Sequence, residues 1–141
     1  MHSLPSRLYT STSDILNIIK VYNKTTGSLI QTITNPNLGD VDSNVDAFGN
    51  QVSSTDVYML VSAPQDDTWS TIPLSGSFYK GVVYVLNAST GETLFRLVNP
   101  EPSPTGGFGV WSGSNKSTAI FGNFFIVGTQ YGRKAYVYEI Y

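Results

Sequence analysis

The feature that most restricts how this chain can fold is an internal repeat. Residues 21–36, VYNKTTGSLIQTITNP, and residues 85–100, VLNASTGETLFRLVNP, align without a gap. Asn23 falls on Asn87, Gly27 on Gly91, Asn35 on Asn99 and Pro36 on Pro100, each pair 64 residues apart. Alternating apolar residues flank both Asn-x-x-Thr-Gly segments: Ile19, Val21, Leu29 and Ile33 in one copy, Val83, Val85, Leu94 and Leu97 in the other. A period of two on either side of a turn signal predicts two strands joined as a hairpin. Asn can bond its own backbone two residues on, and Gly accepts the positive φ that closes such a turn. The closing Asn-Pro stops the second strand, because Pro has no N–H for a ladder.

A second shared pattern follows each hairpin. Ala47-Phe48-Gly49 and Gly107-Phe108-Gly109 precede apolar strands predicted at 57–64, VYMLVSAP, and 124–130, FFIVGTQ. The strand before the turn occurs a third time as KAYVYEIY, residues 134–141. The expected fold is all-β: two units of four antiparallel strands, at about 14–64 and 78–130, and a terminal strand at 134–141. Residues 1–13 read as a polar arm without the apolar core of a signal peptide. Only 13% of residues are charged, so polarity rests on Ser, Thr, Asn, Gly and Tyr, which suit strands and turns better than helices.

The ordered succession of Phe-Gly, an apolar strand ending in Ser62-Ala63-Pro64-Gln65-Asp66-Asp67, and then Gly81-Val-Val-Tyr-Val-Leu-Asn-Ala-Ser-Thr-Gly91 resembles FG-GAP-type β-propeller repeats over residues 15–141. Gly128-Thr129-Gln130 departs from the Gly-Ala-Pro pattern of that family, and the Asn-Ala-Ser-Thr-Gly-Glu turn is also similar to blade turns of quinoprotein propellers. The resemblance implies propeller-like four-stranded blades. A closed propeller has about four to eight of them, so two units would need further copies, as in a trimer of two-bladed subunits, or a different partner. The open edge of strand 134–141 is a template for pairing with another chain. A sandwich of two four-stranded sheets is the other architecture compatible with the pattern.

Little in the sequence supplies chemistry. Eight basic residues stand against ten acidic ones and the Lys and Arg are scattered, which gives no footprint for nucleic acid. There is no cysteine, the one histidine is His2, and no apolar run is long enough to span a membrane. Neither Ser-His-Asp catalysis nor a His-rich metal site has the material it needs. Asp40, Asp42, Asn44 and Asp46 resemble the start of a calcium loop, but the sharp Gly turn and the closing bidentate Glu are missing; they read as a solvated acidic turn. Asp66 and Asp67 read as exposed loop charge. The sequons at Asn23 and Asn87 coincide with the hairpin turns, and a third lies at Asn115; glycosylation is not expected. Gly91→Val is expected to damage folding more than Gly109→Ala, because a β-branched residue is strongly disfavoured at a positive-φ hairpin position while the Phe-Gly glycine is expected to tolerate a methyl.

One difference between the copies points to function. Val61 to Val83 spans 22 residues where Val127 to Ala135 spans 8, an insertion of 14 in the first copy. It lies in QDDTWSTIPLSGSFYK, and its Trp69, Ile72, Leu74 and Phe78 are the candidate partner-binding residues, since loops carry binding and aromatic side chains concentrate at hot spots. The same side chains folding back to cap their own blade is the competing expectation. The sequence thus suggests a non-enzymatic structural and binding module without cofactor or metal. Its partners would be copies of itself or other virion proteins, since similar repeats occur in phage structural proteins. An extracellular recognition domain reading glycans or proteins through Trp69, Trp111 and Tyr131 is the alternative.

Overall fold

Strand propensity and turn chemistry place ten strands along the described residues of the computed structural model, which are 7–12, 18–37, 47–64, 66, 81–101, 108–109, 117–129 and 134–141. In chain order they are β1 (Arg7–Thr12), β2 (Ile18–Asn23), β3 (Leu29–Thr34), β4 (Val52–Ser54), β5 (Tyr58–Ala63), β6 (Val82–Asn87), β7 (Thr93–Val98), β8 (Thr118–Phe121), β9 (Phe124–Gly128) and β10 (Ala135–Glu139). Every pairing among them is antiparallel. They form a first sheet β1-β2-β3, a central sheet β4-β5-β6-β7 and a third sheet β10-β9-β8. The all-β expectation holds.

The two hairpins are copies at atomic detail. Gly27 N–H donates to Asn23 O and Gly91 N–H to Asn87 O, both at 2.8 Å. The Asn23 side-chain oxygen accepts from the backbone of Thr25 and Thr26, and that of Asn87 from Ser89 and Thr90. The β2–β3 register shifts between Val21 and Tyr22, and the β6–β7 register between Val85 and Leu86. Each shift leaves one extra residue on the second strand, Ile30 or Leu94, as a bulge. Asn35 and Asn99, directly before the prolines, each cap the exit by accepting a backbone N–H from two residues ahead at 3.0 Å.

The sheets are cut differently from the sequence units. β4 and β5 belong to the first sequence copy and β6 and β7 to the second, yet these four make one sheet, flanked by two sheets of three strands. Asn-Pro ends β3 and sends the chain to a new layer, whereas the segment after Ala63 returns to its own sheet as β6. Two four-stranded units are therefore replaced by one complete sheet and two partial ones. Residues 7–12, inside the expected polar arm, form β1 and pair with β2 from Arg7↔Asn23 to Thr12↔Ile18; the run Leu-Tyr-Thr-Ser-Thr has the strand propensity for it. The expected terminal strand pairs in its own chain with β9, and its other side is a sheet edge.

Burial orders the layers. Both central strands of the middle sheet are buried on both faces. Met59, Val61, Ala63, Val82, Tyr84, Leu86 and Ala88 pack with Ile19, Val21 and Ile33 of the first sheet. On the opposite face Leu60, Val83 and Val85 pack with Phe125 and Val127 of the third. The result is three stacked sheets with two apolar seams, which differs from a two-sheet sandwich with one. Each Phe-Gly pair fills a seam. Phe48 stands edge-on to Tyr84 at 5.6 Å in the first, and Phe108 lies against Tyr136 at 6.0 Å in the second.

Candidate interaction surface

The sequence-derived binding residues Trp69, Ile72, Leu74 and Phe78 lie outside the described residues, as do Trp111, Tyr131, Asn115 and the acidic run Asp40, Asp42, Asn44 and Asp46. The base of the inserted loop is described. Gly81 N–H donates to Asp66 O at 3.1 Å, so the chain leaves and re-enters the central sheet at one point. Asp66 is fully buried, which corrects its reading as exposed charge. Its carboxylate accepts the Tyr84 hydroxyl at 2.5 Å and the Asn37 amide at 3.5 Å, hydrogen bonds that offset the desolvation of a charge. Tyr84 was legible only as an apolar strand residue, so nothing in the sequence announced its partner.

The Phe-Gly glycine also departs from expectation. Gly109 has φ +70, and a Cβ there would meet Val83 Cγ2 at 2.7 Å. Its N–H donates to Gly128 O, as that of Gly49 donates to Ser62 O. A methyl at Gly109 would push the third sheet away from the central one, so this glycine is less tolerant than the sequence suggested.

The described residues do present one candidate surface. Call the front of a sheet the face turned toward the following sheet, and the back the face turned toward the preceding one. The central sheet's front carries Leu60, Val83 and Val85 with Tyr58 and Leu97 beside them. The first sheet's front carries the same positions one repeat earlier, Ile19, Val21 and Ile33. By strand register the third sheet's front carries Phe124, Ile126, Ala135 and Val137 at the positions of Tyr58, Leu60, Val83 and Val85. There the cover stops. Val137 is 64% exposed where Val85 is 0%, and Ile126 is 43% exposed where Leu60 is 0%.

This exposed face is continuous. Ala119, Ile126 and Val137 lie in one row across β8, β9 and β10, with Phe121 opposite Phe124 one row along. Phe121 is 72% exposed. Contiguous apolar patches on a protein surface mark interaction sites, while single exposed apolar residues mean little. The only charge on the described strands of this face is Glu139, opposite Phe124. The signal was present in the sequence as alternation in FFIVG and AYVYE, but both periods of that alternation are apolar, so it could not say which face would stay open.

Titratable groups nearby are few. Burial pushes the Tyr138 hydroxyl up to about 12 from its ordinary 10.0, and it meets no hydrogen-bond partner among the described residues. The Glu101 carboxylate raises Lys134 above 10.5 in an ion pair open to solvent, a kind worth little. Among the described residues no three His, Cys, Asp or Glu side chains gather to hold a metal ion, and no helix is long and apolar enough to cross a membrane. No protein-family model, curated protein or solved structure matches this chain.

Proposed function

We propose that this chain is a non-enzymatic structural and binding module, a virion component whose sheets act as propeller-like blades and assemble through an open sheet face. The carrying observation is the third sheet's front, with Phe121, Phe124, Ile126 and Val137 exposed, whereas Leu60 and Val85, the counterparts of Ile126 and Val137 in the central sheet, are buried. Stacked repeat units gain their stability by burying such faces against neighbours, so an unburied one favours assembly over catalysis in isolation. The virion setting draws on the similarity of the ordered Phe-Gly, strand and Asn-Thr-Gly motifs to repeats of phage structural proteins. The inserted loop between Asp66 and Gly81 is the second contact this reading assigns, through Trp69, Ile72, Leu74 and Phe78.

The test is made in the host that produces the protein. A tagged wild-type chain should co-sediment with assembled particles, and a Phe121→Ser, Ile126→Ser chain that keeps its β-type circular dichroism should remain in the supernatant. A wild-type chain found only in the soluble fraction would overturn the reading.

A further inference from the structure

The two seams inside the chain are one interface used twice. In each, the front of one sheet meets the back of the next, and equivalent positions do the packing. The back of the central sheet presents Val61, Tyr84 and Leu86 to the first seam, and the back of the third sheet presents Val127, Tyr136 and Tyr138 to the second. A Phe from a Phe-Gly pair completes both. The stack therefore ends in two unlike faces: the front of the third sheet and the back of the first. On the latter Ile18, Lys20 and Tyr22 are each partly exposed, at the positions of Val82, Tyr84 and Leu86.

We infer that the open front of the third sheet is covered by the back of the first sheet of a second copy of this chain, so that two copies close a ring of six sheets. This rests on the propeller-like reading above and names its partner. Three observations choose a second copy. The interface required is the one the chain already makes twice. The two faces carry opposite charges, Glu139 on the front of the third sheet and Lys20 on the back of the first. The count also fits: one copy brings three sheets, too few for the roughly four to eight of a closed propeller, two copies bring six and three overshoot. With two copies a two-fold axis makes the front-to-back contact twice, so the pair closes on itself and leaves neither face open.

The full 141-residue chain decides it, by light scattering coupled to size exclusion. Wild type should run as a dimer. Val137→Lys blocks the front of the third sheet and Tyr22→Asp the back of the first; each alone should shift the dimer at least tenfold in concentration toward monomer. Mixed together the two variants should recover a one-to-one dimer, because one unaltered front still meets one unaltered back. Circular dichroism and melting of each monomer establish folding, and Phe121→Ser replaces Val137→Lys if the lysine unfolds the chain. A Tyr22→Asp chain that dimerises like wild type would show that the front pairs with another front and overturn the inference. So would a wild type that stays monomeric, although a monomer that still co-sediments with particles would leave the proposed function standing with a different partner.

Discussion

Gly91 and Gly27 hold the same turn position with the same positive φ, yet their surroundings differ. A Cβ on Gly27 meets nothing within 4 Å, whereas one on Gly91 would meet Gln31 Nε2 at 2.5 Å and Ile33 Cγ1 at 3.0 Å. Gln31 belongs to the first sheet and donates to Thr90 O in the central sheet's turn, so the second hairpin is also a joint between sheets. Ala at either position carries the strain of positive φ, about 1 kcal/mol. Gly91→Ala should cost a further 1–2 kcal/mol or so from overpacking, read as a lower urea midpoint than Gly27→Ala; equal midpoints would contradict the joint. Tyr138 offers a pH test. Its folded pKa lies above its unfolded value, so between about pH 10 and 12 the folded state holds a proton that the unfolded state has lost, and stability falls as pH rises through that window. Tyr138→Phe should flatten this fall and be neutral or slightly stabilising at pH 7, since it removes a buried hydroxyl without a partner. Urea midpoints across pH check both statements.

At the scale of elements, β6 and β10 are versions of one strand in different surroundings. β6 has a sheet against each face, and β10 has one against only its back. Val85→Ala should therefore cost about 2 kcal/mol, while Val137→Ala at the equivalent position should change the stability of the dilute chain by less than about 0.5 kcal/mol. Chemical denaturation at low protein concentration measures both. The strands themselves were legible: the hairpins, the strands after Phe-Gly and the terminal strand stand where the period of two and the Asn, Gly and Pro signals put them. Their grouping into sheets was not. A repeat can be cut at any phase, and nothing local in Asn-Pro or Ser-Ala-Pro states that the first leaves the sheet and the second returns to it. β1 was hidden because Thr and Ser dominate it, and Asp66 because a carboxylate after Pro-Gln gives no sign of the tyrosine that will hold it. The face of the third sheet was visible as apolar sequence, but exposure is a property of the stack rather than of the strand.

On the scale of the whole molecule the chain is a stack in which the front of each sheet but the last packs on the back of the next, and the proposed role of the open last front is assembly. The protein contains no cysteine, so one introduced thiol reports one position. Val85→Cys and Val137→Cys place that thiol on equivalent sites of the central and third sheets. Labelling with an aromatic disulfide reagent is the most direct measurement. In dilute solution the thiol at position 137 should react at the rate of a free thiol and slow as the protein is concentrated, while the thiol at position 85 should react only as fast as the chain unfolds. Equal native-state rates at the two positions, or a thiol at 137 that stays shielded in the dilute monomer, would contradict it.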